Sequence, residues 1–107
     1  KQQKQQSGAK SRISISLMQD INDLRAKFDY RLDLRGRRAD EALSELSKYI
    51  DTARLLGESE IAILHGKGDG ILKTVLRDYL KENPEVDSFK AERVEFGGEG
   101  ITKIKLK

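Results

Sequence analysis

The chain has 107 residues, with 21 Lys or Arg, 18 Asp or Glu, one histidine and no cysteine. This length suits one domain with a modest core, and the composition excludes disulfides, thiolate zinc sites and a cysteine nucleophile. No apolar run approaches the roughly 20 residues of a membrane span, and no secretory leader is recognised at the start. We therefore expect a soluble, cytoplasmic protein that has no membrane partner.

The net charge of +3 is unevenly distributed along the chain. Residues 1–12 carry four basic side chains and no acidic one, which leaves the rest of the chain with a net charge of −1. A nucleic-acid site in the folded part must therefore be a local cluster of cations.

Residues 1–29 are predicted to lie outside the main domain. Residues 1–11 are rich in Gln and Lys and have no large apolar side chain, which is typical of a disordered basic linker. Residues 12–29 are predicted to form a partly ordered arm. Its first part, residues 12–18, alternates apolar and polar side chains as a short strand does, and residues 19–28 permit one or two helical turns.

Residues 30–107 are predicted to form the domain, in the order β-α-β-α-β-β. The apolar spacing predicts strands over residues 30–35, 60–64, 86–96 and 101–106, and helices over residues 39–56 and 71–82. In the last strand Ile101, Ile104 and Leu106 are the apolar positions, interleaved with Thr102, Lys103 and Lys105. This order predicts an α/β (α+β) two-layer sandwich, a four-stranded mixed sheet with two helices on one face.

The first two strands are predicted to be parallel, because short strand–helix–strand crossovers are right-handed. Residues 33–38 and residues 65–70 then follow neighbouring strand ends, where ligands collect in such sheets. Guanidinium groups, helix N-termini and glycine turns form an anion-binding combination. The predicted phosphate- or nucleic-acid-binding residues are Arg37, Arg38, Gly66, Lys67, Gly68, Gly70 and Gly98, with residues 97–100 as a third wall.

The glycine-rich segment HGKGDG has neither the spacing of a P-loop nor that of a dinucleotide fingerprint, so the domain is not expected to bind ATP or NAD. Purely structural roles are also open for several of these residues. His65 could cap a strand through a backbone hydrogen bond, Asp69 could be the N-cap of the second helix, and Arg37 and Arg38 could form a solvated turn.

LDLRG followed by RRADEAL, then HGKGDG with its helix, then FGGEGITKIKL, together resemble the Smr (small MutS-related) domain over roughly residues 30–107. Many Smr domains have histidine in place of Arg35, and the arginine form resembles the C-terminal Smr domain of the second bacterial MutS family. The resemblance implies a domain that nicks DNA or RNA, within an ATP-binding, recombination-controlling homodimer. The isolated fragment is expected to be a monomer.

The motif positions carried over from this resemblance are Asp33, Arg35, Gly36, His65, Gly66, Lys67, Gly68 and Gly70. We expect phosphodiester hydrolysis, with Arg35 and Lys67 on the scissile phosphate and His65 as general acid or base. Arg35 itself cannot act as a general base. Magnesium or manganese is a candidate cofactor, loosely held by Asp33 with Asp69 or Glu99.

Two other functions stay open at this point. One is a non-catalytic module that binds branched DNA or ribosomal RNA, as in members that act on collided ribosomes. The other is a protein-interaction domain. Turnover with a divalent metal separates the nuclease from the binding module, and absence of nucleic-acid binding at low salt favours the third.

Overall fold

The computed structural model describes residues 2–107, with side chains described from Ile15 onward. Three helices and four strands make up the fold. They are α1 (Gln2–Lys27), β1 (Arg31–Asp33), α2 (Ala39–Leu55), β2 (Glu60–Leu64), α3 (Ile71–Glu82), β3 (Val86–Ala91) and β4 (Ile101–Leu106). Two 3₁₀ turns, Val94–Phe96 and Gly98–Gly100, join β3 to β4.

The four strands form one mixed sheet in the order β1-β2-β4-β3. Strands β1 and β2 are parallel, and β4 lies antiparallel to both β2 and β3. The predicted β-α-β-α-β-β order and the two-layer sandwich are confirmed. The parallel β1–β2 pair brings the two predicted site segments to the same edge of the sheet.

The core lies between the sheet and helices α2 and α3, because each helix presents one apolar face at helical spacing. The buried side chains of α2 are Ala42, Leu46, Ile50 and Ala53, and those of α3 are Leu76 and Leu80. They pack against buried side chains of β2 and β4, which are Ile61, Ile63, Ile104 and Leu106. The start of α2 is closed by the Glu41 carboxylate, which accepts a hydrogen bond from the Arg38 backbone N–H at 3.2 Å.

Helix α1 corrects the prediction for the N-terminal segment. The backbone is helical from Gln2 to Lys27, where a disordered linker and then a short strand or extended arm were expected; Lys1 lies outside the described residues. The alternation within residues 12–18 does not face a core, since Ile15, Leu17 and Met18 are all more than half exposed. A strand here would need a partner for its backbone hydrogen bonds, whereas a helix satisfies them internally.

The strand predicted over residues 86–96 is too long and ends at Ala91. Ala91 pairs with Thr102, and Glu92 N–H donates to the carbonyl of Ile101, the first residue of β4. Residues 93–100 therefore have no strand opposite and form the connection instead. Val94 and Phe96 are exposed in that connection, although their apolar character suggested a strand. In the described part of the chain no helix is long and apolar enough to cross a membrane.

Candidate nucleic-acid interface at the sheet edge

Three chain segments meet at the edge where β1 and β2 end. Leu34 N–H donates to the Leu64 carbonyl at 2.8 Å, which ties the two strand ends together. The N–H groups of His65 and Gly66 both donate to the Gly100 carbonyl at 3.0 Å. The residues after β1, the residues after β2 and the turn before β4 are therefore brought together, as the sequence predicts.

A small hollow of about 200 Å³ opens at this edge, and we call it the edge hollow. It is lined by Gly36, Arg37, His65, Gly66, Lys67, Gly68, Asp69, Gly70, Leu72 and Lys73. Three cations, Arg37, Lys67 and Lys73, border it together with the first turn of α3. Lys73 was missed by the sequence analysis; its signal is a basic residue one turn into the helix that follows the glycine loop.

The loop of the edge hollow requires glycine at several positions. Gly66, Gly68 and Gly70 have φ angles of +79°, +40° and +84°, in the left-handed region that other residues rarely adopt. The loop has no side chains at these positions to cover its backbone amides, so an anion can approach them closely. The N-cap of α3 is Gly70 and not Asp69 as predicted, although the Asp69 carboxylate accepts a hydrogen bond from Ile71 N–H, the first residue of the helix, at 3.1 Å.

Asp33 and Arg35 form a paired unit beside the loop, across Gly66 from the edge hollow. Arg35 donates from Nε to Oδ1 at 3.0 Å and from Nη2 to Oδ2 at 2.9 Å, and its backbone N–H donates to Oδ1 at 3.0 Å. These bonds lower the pKa of Asp33 to about 2, chiefly through the Arg35 side chain. Both Nη1 hydrogens and one Nη2 hydrogen of Arg35 stay available for an anion.

His65 lies under the loop and is only 6% exposed. Its Nδ1 is 2.8 Å from the Gly66 carbonyl oxygen and its Nε2 is 2.8 Å from the Thr102 hydroxyl. A carbonyl only accepts, so Nδ1 carries the proton and Nε2 of the neutral ring accepts from Thr102. Burial lowers the pKa of His65, and the nearby charges of Lys73 and Arg77 lower it further. Both ring nitrogens are thus engaged within the protein.

Thr102 of β4 lies on the core face, although it is not one of the apolar positions of that strand. Its side chain is fully buried, in register with Ile63. Ile101 is also buried, on the opposite face, beneath the turn that contains Gly97. No local sequence signal marks Thr102, because its partner His65 lies 37 residues away along the chain.

The remaining predicted binding residues are less central. Arg37 Nε pairs with the Glu45 carboxylate at 2.8 Å and still borders the hollow. The Arg38 side chain is 82% exposed beside Asp40, away from the hollow, as the solvated-turn interpretation expects. Gly98 is buried in the 3₁₀ turn behind the loop and does not line the hollow.

The donor set does not fit a magnesium or manganese site. Across the residues that the structure describes, no group of three His, Asp or Glu side chains is placed to hold a metal ion. Of the candidate ligands, the Asp33 carboxylate is engaged by Arg35 and the Asp69 carboxylate by the Ile71 N–H, while Glu99 is exposed in the turn before β4. We therefore derive no chemical step through a protein-held metal.

A larger hollow of about 540 Å³ lies on α2 and is lined by Arg37, Asp40, Glu41, Ser44 and Glu45. Its three carboxylates repel a phosphate, so the edge hollow is the better anion site despite its smaller volume.

Comparison with known proteins places this arrangement in a family. The family model described as the Smr domain matches residues 32–107. The chain belongs to the Smr domain family.

Named relatives of the chain are MutS2 endonucleases. It is 45% identical over 76 residues to "Endonuclease MutS2" of Helicobacter pylori strain 26695 and 40% identical over 86 residues to that of Caldanaerobacter subterraneus. These alignments cover 71% and 80% of this chain but only 10% and 11% of the relatives. The chain thus spans about a tenth of the length of the curated relatives it matches.

Solved structures agree with the fold. The Smr domain of Thermus thermophilus MutS2 superposes with a TM-score of 0.71 and 39% identity, covering 72% of this chain and 96% of that one. YdaL, a stand-alone small MutS-related protein from Escherichia coli, superposes with a TM-score of 0.69 over 73% of this chain and 64% of its own. Its 23% identity supports the fold alone.

Proposed function

We propose that this domain binds the phosphate backbone of DNA at the edge hollow and nicks one strand there, as part of a MutS-like ATPase. The observation that carries the proposal is the convergence of Arg37, Lys67 and Lys73 on a glycine loop, with the oriented guanidinium of Arg35 across Gly66. The relatives that carry the name endonuclease support the same conclusion.

In this proposal the scissile phosphate lies over Gly66, between Lys67 and Arg35. Water adds to phosphorus and one P–O ester bond breaks, which leaves a phosphate monoester and a hydroxyl. Arg35 is held in place by Asp33 before the substrate arrives, and it stabilises the charge that develops on the phosphate together with Lys67 and the loop amides.

His65 needs one of its two hydrogen bonds to open before it can act on water. The Asp33 carboxylate is a weak base because of its low pKa. Most of the rate enhancement is therefore assigned to positioning and charge stabilisation.

The test is nicking of supercoiled plasmid with Mg²⁺ or Mn²⁺ and with a chelator. The informative variants are Arg35→Lys, which keeps the charge but loses the fork with Asp33, and His65→Ala. We expect Arg35→Lys to lower the nicking rate by about 100-fold, the size found when one transition-state donor is removed. The control is Lys48→Ala, an exposed cation on α2, which should nick at the wild-type rate.

Undiminished nicking by both Arg35→Lys and His65→Ala would contradict the assignment of the cut to this edge. Since His65 is buried, His65→Gln is included so that loss of folding is distinguished from loss of chemistry. The circular dichroism melt of each variant is recorded beside its rate.

The second candidate is a binding module without catalysis, which engages branched DNA or ribosomal RNA through the same edge. It is favoured by one observation: the two conventional acid–base groups, His65 and Asp33, are both engaged by neighbouring groups. Binding that persists with no nicking in Mg²⁺ or Mn²⁺ selects this function. Binding to neither DNA nor RNA at low salt rejects both.

A further inference from the structure

The face of the sheet opposite α2 and α3, which we call the open face, carries a row of cations. Strand register places Lys90 of β3 opposite Lys103 of β4, Lys103 opposite Ala62 of β2, and Ala62 opposite Arg31 of β1. Arg31 and Lys90 are exposed and Lys103 is half-buried. We call Arg31, Lys103 and Lys90 the cross-strand row.

The cross-strand row is electrostatically unfavourable in the free domain. Lys90 and Lys103 are direct cross-strand neighbours, and like charges in that relation repel. Within residues 15–107 no carboxylate lies within 4.0 Å of either ammonium group. Glu60 is in register with Lys105 and lines the same hollow as Lys90 and Lys103, so it offsets part of this charge through space without forming an ion pair with either lysine. A bound anion would relieve the repulsion between Lys90 and Lys103.

The row is continuous with the edge site. Arg31 and Asp33 are two residues apart on β1 and point to the same face, so their side chains are separated by about 7 Å along the strand. Asp33 holds Arg35, and Arg35 lies against Gly66 at the rim of the edge hollow. With strands about 4.8 Å apart, the row extends this line of cations by about 14 Å across the sheet.

We propose that the cross-strand row binds the sugar–phosphate backbone of one nucleic-acid strand, on the path that leads to the edge hollow. The row has three cations separated by one alanine and no aromatic side chain, so it contacts phosphates and does not stack on bases. Binding on the open face is therefore independent of base sequence and strongly dependent on salt. This inference rests on the proposed function of the edge hollow and adds a second contact surface to it.

The test is fluorescence anisotropy of a labelled single-stranded 20-nucleotide DNA, measured between 50 and 200 mM salt. The buffer contains a chelator so that the DNA is not cut during the measurement. The variant is Lys90→Gln/Lys103→Gln, and the matched control is Lys48→Gln/Lys81→Gln, which removes two exposed cations from the helical layer. We expect the first to bind about tenfold more weakly at 100 mM salt and to lose about 1.4 from the slope of log K against log salt, since each phosphate contact on a single strand contributes about 0.7. The control should match the wild type within twofold after correction for net charge.

A third protein, Lys67→Gln/Lys73→Gln, separates this inference from the function on which it rests. Weakened binding by this edge variant, together with wild-type affinity and slope for Lys90→Gln/Lys103→Gln, would overturn the inference and leave the edge function standing. Absence of binding by the wild type would remove both. Misfolding does not mimic the expected result, because removing the Lys90–Lys103 repulsion should leave the melting temperature equal or higher.

Discussion

His65, the single histidine of the chain, connects the glycine loop to the sheet through its two ring nitrogens. Its ring joins the glycine loop, through the Gly66 carbonyl, to the central strand β4, through Thr102. The motif histidine therefore fixes the position of the loop that borders the edge hollow, whatever part it takes in chemistry.

Replacement of Thr102 by valine should lower the free energy of unfolding by about 1–3 kcal/mol, because it leaves a buried His65 nitrogen without its donor. Chemical denaturation measures the change. The control is Thr52→Val on α2, whose hydroxyl donates to the Lys48 carbonyl one helical turn earlier, and it should change stability by less than about 0.5 kcal/mol. Equal losses of unfolding free energy for the two substitutions would contradict a structural role for the Thr102–His65 hydrogen bond.

Stability should also fall as the pH is lowered through the range in which free histidine titrates. The pKa of His65 is lowered in the fold, so the unfolded chain binds its proton first as the pH drops below about 6.5. The loss grows until the depressed folded pKa is reached and then levels off. Asp33 adds nothing in this window, since its pKa of about 2 moves stability only at more acidic pH.

Melting curves at pH 7.5 and 5.5 check this pH dependence. His65→Gln lacks a titratable ring and should lose the difference between the two curves. A wild-type melting temperature that is the same at both values would contradict the direction of the shift.

At the scale of elements, the turn between β3 and β4 depends on one glycine. Gly97 has a φ angle of +121°, and a Cβ there would clash with Cδ1 of Ile101, a side chain that is 3% exposed. Because Ile101 is buried against this turn, it cannot swing away without opening a gap. The turn and the first residue of β4 are thus packed as one unit.

Gly97→Ala should therefore destabilise the domain by about 2–4 kcal/mol, the sum of backbone strain and overpacking. The matched control is Gly57→Ala after α2, where φ is +75° but nothing lies within 4 Å of the added Cβ. Gly57→Ala should lower the free energy of unfolding by only about 1–2 kcal/mol, the strain of placing alanine in the left-handed backbone region. Urea denaturation of both proteins distinguishes the two, and equal losses would show that Ile101 yields freely.

Most of the elements of residues 30–107 could be predicted from sequence because their signals are local. Alternation predicts β1, helical spacing predicts the buried faces of α2, and the glycine loop marks the strand end at His65. The inward position of Thr102 and the end of β3 at Ala91 could not be predicted, since both depend on which strand lies opposite. The strand predicted for residues 12–18 failed for a related reason: it has no sheet edge to join.

The location of the candidate site could be predicted from the sequence, whereas the contacts of its individual side chains could be predicted only in part. Arg37 and Lys67 border the hollow as expected, whereas Arg38 faces solvent and Arg35 lies across the loop. The engagement of His65 by Thr102 was not predictable, because the partner lies 37 residues away. Lys73 could be predicted as a site residue only once the first turn of α3 is known to face the hollow.

At the scale of the whole molecule, α1 is attached to the domain by few contacts. Among residues with described side chains, its one hydrogen bond to the rest of the fold runs from Arg25 Nη1 to the Leu56 carbonyl at 3.0 Å. The residues just after α1 are better anchored: the Phe28 ring stacks on Tyr49 at 5.3 Å, and the Tyr49 hydroxyl donates to the Asp29 carbonyl at 2.6 Å.

A fragment of residues 28–107 should consequently fold and melt within about 5 °C of the whole chain, since it loses about one hydrogen bond. A fragment of residues 31–107 also loses the Phe28 stacking and the Asp29 hydrogen bond, and it should melt lower than the first. Calorimetry of both fragments measures the difference. A large loss on removing residues 1–27 alone would show that α1 stabilises the domain.

The order of the strands in the sheet has a consequence for synthesis on the ribosome. The last strand of the domain, β4, lies between β2 and β3, and β3 is joined to the rest of the sheet only through it. Until residues 101–106 have left the exit tunnel, β3 has no partner and one edge of β2 is bare. Helices α2 and α3 can form earlier, but the buried side of His65 is completed only when Thr102 arrives. The domain therefore folds late in its own translation, and a chain stalled a few codons before β4 holds neither a complete sheet nor a formed glycine loop.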